Sequence, residues 1–228
     1  ALFLGIEPDY VCLLIRQYRL TPPTDVPVAY TWPFPVKVYA LGRFSVLVDD
    51  KPLKFSGKSQ KKPLELLRAL VAFGGREVSE AKLAETLWPD AEGDVASQSL
   101  ATTLHRLRKL IGENTIERQE GRLSLDAGTI WVDAWAFERN LTDLEQACQK
   151  SETDKLQTLT TRLFTLYRGP FFKDEPDAPW LLHLRERLRA KFLRHLEAAA
   201  GCLGEAKRHD QAVACYEKAI EIEPLAEG

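Results

Sequence analysis

Residues 94–126 read DVASQSLATTLHRLRKLIGENTIERQEGRLSLD, and this run predicts a helix that is followed closely by a β-hairpin. Apolar residues recur at the i, i+4, i+7, i+11 spacing that places them on one helix face, namely Leu100, Leu104, Leu107 and Ile111. The opposite face is polar and basic, and it carries Gln98, Thr102, His105, Arg106 and Lys109. We expect the helix over residues 95–111 and the hairpin over residues 115–126, with Gly121 at its turn.

A helix with a basic outer face that leads directly into a hairpin is typical of a winged helix, which favours DNA as the partner. The major groove of double-stranded DNA is wide enough to admit a helix. Arg and Lys bind guanine or phosphate, Gln pairs with adenine, and the Thr methyl contacts thymine. Any solvated surface helix also has a polar outer face, so the helix alone leaves both interpretations open.

The distribution of charge is more informative than the net charge of −2. Two segments hold basic residues and no acid: residues 51–62 with five lysines, and residues 95–112 with three basic residues. Phosphate binding needs a local basic patch rather than a basic protein. Lys61 and Lys62, at the start of a predicted helix, are candidates for phosphate contacts, although lysines also protect sheet edges. The weak overall charge predicts that useful affinity needs a homodimer on repeated half-sites.

Composition argues against several other classes of protein. Hydrophobic residues make up 45% of the 228-residue chain, but no apolar run is long enough to span a bilayer and no signal peptide is evident. The four cysteines form no CxxC pair and have no His at ligand spacing, which predicts reduced thiols, a cytoplasmic location and no metal or cofactor. Since no catalytic constellation occurs, we expect no enzyme. The absence of Met predicts a fragment of a longer protein.

Proline and hydrophobic periodicity divide the chain into three predicted parts. Five prolines in residues 21–35 predict an extended linker after a helical segment whose Leu13, Leu14, Tyr18 and Leu20 are available for burial. Residues 36–55 alternate as two or three antiparallel strands, and helices are expected near residues 60–73 and 79–87. Ile130 and Val132 predict a closing strand, so residues 36–133 form one α+β domain with strands, three helices and a hairpin.

The pattern after Asp133 is all helical, with helices expected at residues 134–149, 153–167, 178–200 and 204–222. Small residues within 196–224 have the spacing of one tetratricopeptide unit. A single unit cannot bury its own face, so it must pack on the preceding helices or on further chain. The fold class is therefore α+β, a winged helix at 36–133 followed by an all-α tetratricopeptide-like domain at 134–228, with residues 1–35 as helical segment and linker.

These motifs carry a family resemblance over nearly all of residues 36–228. Residues 36–133 resemble the OmpR-type winged helix through ALGRFSV, GGREVS, LAETLW and LHRLRKLIG before a hairpin. Residues 134–228 resemble the bacterial transcriptional activation domain through DAWAFE, LYRGPFF, and a Trp followed by RERLR. In this order, the two resemble an activator of the Streptomyces antibiotic regulatory protein type.

The resemblance implies a sequence-specific DNA-binding activator, with the helix at 95–111 in the major groove and the hairpin at 115–126 over the minor groove as a wing. It assigns groove contacts to Gln98, Thr102, His105 and Arg106. Further contacts to the DNA backbone are implied for Thr103, Arg108 and Lys109, and contacts from the wing for Arg118 and Arg122.

The resemblance also implies that the loop at residues 88–94 contacts RNA polymerase. The chain departs from the family at the hairpin, which commonly carries Gly-Tyr where this chain has Gly121-Arg122. An alternative function is a protein-interaction module of a larger signalling protein that does not read DNA. The tetratricopeptide-like tail and the near-neutral charge favour that alternative.

Overall fold

The first part of the chain contains both strands and helices, and the regular elements described after Val132 are helices. The computed structural model describes residues 2, 5–18, 20–22, 32–54, 60–175 and 179–222. The helices are α1 (Pro8–Tyr18), α2 (Lys61–Ala72), α3 (Glu80–Leu87), α4 (Gly93–Ile111), α5 (Asp133–Gln149), α6 (Thr153–Leu166), α7 (Pro179–Glu205) and α8 (His209–Ile222). The strands are β1 (Val36–Tyr39), β2 (Ser45–Val48), β3 (Lys51–Pro52), β4 (Val78–Ser79), β5 (Ile116–Gln119), β6 (Arg122–Leu125) and β7 (Ile130–Val132).

Contacts between residues group the chain into two units. The first unit comprises Ala1–Lys37 and Val46–Trp131, and the second comprises Val38–Ser45 and Val132–Gly228. A four-stranded sheet has the order β3-β2-β1-β7, which confirms the closing strand predicted at Ile130 and Val132. The predicted domain boundaries themselves remain predictions.

The first unit is built around three helices whose apolar faces meet. α4 packs against both α2 and α3, and Leu67, Leu83 and Leu107 are completely buried between them. The second sheet of this unit has the order β4-β6-β5. Glu120 and Gly121 join β5 to β6, and their positive φ angles of 49° and 70° fit a two-residue type I′ turn. The predicted hairpin with Gly121 at its turn is therefore confirmed.

The second unit is a helical assembly around an aromatic cluster. α5 packs against α6 and α7, and α7 packs against α8. Tyr167 lies between Phe192, with ring centroids 4.2 Å apart, and Phe137, with centroids 5.6 Å apart. Residues 38–45 join this unit because the Asp133 carboxylate, at the start of α5, accepts hydrogen bonds from the backbone of residues 40 and 41.

Four details of the predicted elements are wrong, and one of them is the start of α8, which lies at His209 rather than near residue 204. α4 begins at Gly93, two residues earlier than predicted, and α7 continues to Glu205 rather than ending near residue 200. The completely buried Leu203 explains the extension, because packing outweighs the helix penalty of nearby glycines. On α1, Leu13 and Tyr18 are exposed rather than available to a core, as is Leu20 beyond it. Residues 23–31 and 55–59, which include most of the predicted linker, lie outside the described residues.

None of the helices within the described ranges has both the length and the apolar character that crossing a membrane requires.

Candidate nucleic-acid interface

The two faces of α4 separate as the leucine spacing predicts. Its apolar residues are buried against α2 and α3, namely Leu100, Leu104, Leu107 and Ile111. Its opposite face is exposed and carries Gln98, Thr102, His105, Arg106 and Lys109. This face, which we call the outer face of α4, places an amide, a hydroxyl, an imidazole and two cations on one side of a rigid helix.

The polar ends of most side chains on the outer face are not used by the protein itself. Among the described residues, no hydrogen bond or ion pair engages the side chains of Gln98, His105, Arg106 or Lys109. Thr102 differs, because its Oγ1 donates to the Gln98 carbonyl at 3.0 Å within the helix. The cations of the outer face can therefore bind a phosphate or a base without breaking an internal contact.

Two residues of α4 that were predicted to contact the DNA backbone, Thr103 and Arg108, do not lie on its outer face. Thr103 is only 6% exposed and lies among the buried leucines, so little of its side chain is accessible for the predicted contact with the DNA backbone. Arg108 is half-buried, and its Nη2 donates to the Ile116 carbonyl at 2.8 Å. Arg108 thus connects the last turn of α4 to the first residue of the hairpin, and its role visible in the structure is to position the wing.

Both predicted wing residues are also engaged within the protein. Arg118 donates from Nε to Glu80 Oε1 at 2.6 Å and from Nη2 to Glu80 Oε2 at 2.8 Å. The hydrogen bonds and the negative charge of Glu80 raise the pKa of the Arg118 guanidinium above its ordinary value. Arg122 donates from Nη1 to the Glu77 carbonyl at 3.0 Å. Both arginines therefore lie on the hairpin, but Glu80 neutralises the charge of Arg118.

The lysines at the start of α2 also differ from each other. Lys62 donates from Nζ to the Leu87 carbonyl at 2.9 Å and pairs with Glu65 at 2.9 Å. Its Nζ also lies 5.3 Å from the centre of the Trp88 ring, so Lys62 connects α2 to the end of α3. Lys61 is well exposed, and its Nζ is 4.0 Å from Glu65. Lys61 is thus the better placed of the two for a phosphate.

The loop between α3 and α4 is shorter than predicted, because α4 already begins at Gly93. Trp88 ends α3, and the loop exposes Asp90 and Glu92.

Two residues at this interface were missed from the sequence. Glu80 opens α3, and only the three-dimensional pairing of the hairpin reveals its ion pair with Arg118. Val95 is 55% exposed on the outer face of α4, and it could have been found by extending the outer face seven residues back from Thr102.

Comparisons with known families agree with this architecture. Residues 57–122 match the family "Transcriptional regulatory protein, C terminal", and residues 132–228 match the family "Bacterial transcriptional activator domain". The chain thus carries regions of these two families in this order, which is similar to the activators of the Streptomyces antibiotic regulatory protein type. This finding confirms the predicted family and the predicted class of function, a transcriptional regulator.

Individual relatives are longer than this chain. The regulatory protein AfsR of Streptomyces griseus is 25% identical over 211 residues, which cover 90% of this chain and 21% of AfsR. The solved structure of Mycobacterium tuberculosis EmbR, in complex with a low affinity phosphopeptide, matches with a TM-score of 0.69 and 20% identity. The match covers 85% of this chain and 52% of the EmbR chain, and it supports the predicted α+β fold.

Proposed function

We propose that this chain binds double-stranded DNA sequence-specifically as an activator, with α4 in the major groove and the β5–β6 hairpin over the minor groove. The observation that carries the proposal is the unengaged outer face of α4. His105, Arg106 and Lys109 are exposed and have no partner among the residues that the structure describes, whereas Arg108 and Arg118 form hydrogen bonds within the protein. A DNA partner in turn implies a cytoplasmic location in a bacterium.

The division between engaged and unengaged cations supports specific roles. We assign base or groove contacts to Gln98, Thr102, His105 and Arg106, and a phosphate contact to Lys109. Arg118 and Arg122 serve the wing, where Arg118 must exchange Glu80 for a phosphate to bind DNA. Lys61 is the candidate for a phosphate contact at the start of α2.

Fluorescence anisotropy with the full chain tests the proposal, using duplexes selected by the protein from a random pool. Arg106→Ala should weaken binding by about 1–3 kcal/mol. Arg194→Ala is the matched control, because Arg194 is an exposed α7 arginine with no internal partner among the described residues. Lys109→Ala should weaken binding to all duplexes and reduce the salt slope by about 1. If no duplex binds in a salt-dependent way, the proposal fails.

We also propose that the loop formed by residues 88–92 contacts RNA polymerase. The support is the exposure of Asp90 and Glu92 directly before α4, the helix that we propose binds DNA. Replacing both carboxylates by alanine should reduce transcription in vitro and leave duplex affinity unchanged. A parallel loss of duplex affinity would instead indicate that the loop shapes α4.

We further propose that two copies bind repeated half-sites. The near-neutral charge of the chain supports this, because few phosphate contacts per copy give weak binding. Sedimentation with one-site and two-site duplexes tests it, and an equal affinity per copy on both duplexes would reject it.

A second candidate function is a protein-interaction module that does not read DNA. One observation favours it: α8 exposes Val213, Tyr216 and Ile220, whose i, i+3, i+7 spacing forms an apolar stripe. Tyr216→Lys should then change the self-association measured by sedimentation, while the wild-type chain binds no duplex. Salt-dependent duplex binding that Arg106→Ala abolishes would reject this candidate.

A further inference from the structure

Val95 is an unusual residue for its position on the outer face of α4. Among the described residues between 32 and 131, it is the one large hydrophobic side chain that stands exposed, at 55%. Valine forms helices less readily than alanine, and this valine is not part of the core. Neither helix formation nor packing in the first unit accounts for an apolar side chain here.

The position of Val95 along α4 separates it from the cations. It lies in the first turn, whereas Arg106 and Lys109 lie near the other end of the helix. The exposed carboxylates of Glu92 and Asp94 flank the first turn, so this end repels phosphate. The start of the outer face therefore suits an uncharged base edge, whereas its cationic end suits a guanine edge or a phosphate.

We propose that Val95 reads a C5-methylated pyrimidine, which in unmodified DNA is thymine. This inference rests on the proposed function and names the base that its helix recognises. The N-terminal residues of a recognition helix contact base edges, and the thymine methyl is the apolar group displayed in the major groove. Contact between this methyl and Val95 removes both from water. Gln98, three residues further on, has the amide that pairs with adenine, so the operator has an A·T pair beside this thymine.

The test removes the methyl group alone. A duplex selected by the full chain from a random pool of synthetic DNA is remade with deoxyuridine in place of each thymine in turn. Synthetic DNA carries thymine as its C5-methylated pyrimidine, and a further duplex with 5-methylcytosine at the sensitive position tests whether any C5 methyl suffices. Anisotropy then compares wild type, Val95→Ala and Leu182→Ala, the last replacing another exposed apolar residue, 44%, on α7.

When one particular thymine is replaced by deoxyuridine, the affinity of wild type should fall roughly fourfold. This factor corresponds to the free energy of burying one methyl-sized group. Leu182→Ala should show the same loss as wild type, whereas Val95→Ala should bind the thymine and deoxyuridine duplexes equally. Val95→Ala should fold as well as wild type, because alanine favours the helix. If wild type binds in a salt-dependent way but no thymine is coupled to Val95, this inference alone is overturned. If no duplex binds, the proposed function is overturned with it.

Discussion

Replacing Asp133 by asparagine should change how the stability of the second unit depends on pH. The Asp133 carboxylate is almost completely buried and accepts three backbone N–H groups. Leu41 donates to Oδ2 at 2.9 Å, Ala134 donates to Oδ1 at 2.7 Å, and Ala40 lies within 2.9 Å of both oxygens. Burial raises the pKa of Asp133 to about 6, although these hydrogen bonds and the charge of Arg168 act in the opposite direction.

The direction of the effect follows from the difference in pKa between the two states. The unfolded chain loses the Asp133 proton near its ordinary pKa of 3.8, and the folded chain loses it near 6. The stabilising contribution of this group is fully present below the unfolded pKa and is lost as the pH rises through the folded value. At about 1.4 kcal/mol per pKa unit, the ionisation of Asp133 should lower the free energy of unfolding by roughly 2 to 3 kcal/mol between pH 4 and pH 7.

Urea unfolding of the wild type and of Asp133→Asn, measured at several pH values, isolates this effect. Asparagine does not titrate, so the other groups of the chain cancel in the difference between the two proteins. Its amide nitrogen would also face a backbone N–H, which should make the variant less stable by about 1–3 kcal/mol at pH 4. The advantage of the wild type should then decline by roughly 2 to 3 kcal/mol by pH 7. A difference that stays constant from pH 4 to pH 7 would refute the raised pKa.

Three further variants test the first unit. Glu80→Gln should release Arg118, so that duplexes bind more tightly and the salt slope steepens by about 0.9; an unchanged slope would show that the wing does not bind phosphate. Arg108→Ala should lower the free energy of unfolding by about 1–2 kcal/mol, measured in urea, and leave the salt slope of duplex binding as it is. Gly112→Ala should lower the free energy of unfolding by about 1–3 kcal/mol, because φ is 112° at this residue. Gly93→Ala is the control, since Gly93 has open space around it and an ordinary φ, and thermal unfolding should show no loss of stability.

Local patterns were sufficient to predict most elements of the fold, although they missed the two-residue strand β4. The leucine spacing located α4 and its outer face, and Gly121 located the hairpin turn. The ends of the helices were less predictable, since they depend on packing. α7 passes through Gly201 because Leu203 beyond it is buried, and no local signal reports that burial.

Long-range contacts could not be predicted from the sequence. Ala40 and Asp133 are 93 residues apart, yet their hydrogen bond joins residues 38–45 to the second unit. Arg118 and Glu80 are 38 residues apart, and their pairing changes which cations remain available on the wing. Periodicity identifies which face of an element is polar, but it does not reveal which polar groups already have a partner.

The number of unengaged cations limits how this protein can bind DNA. α4 presents two permanently charged side chains on its outer face, Arg106 and Lys109, and the loop before it adds the carboxylates of Asp90 and Glu92. With Lys109 on a phosphate and Arg106 in the groove, the cations of α4 would contribute a salt slope of at most about −2 for each copy. Because such weak electrostatic binding leaves little affinity for random DNA, we propose that base contacts and a second copy supply most of the free energy of binding. A slope near −2 on a one-site duplex, roughly doubled on a two-site duplex, would show this directly, whereas a much steeper one-site slope would require cations beyond those on α4.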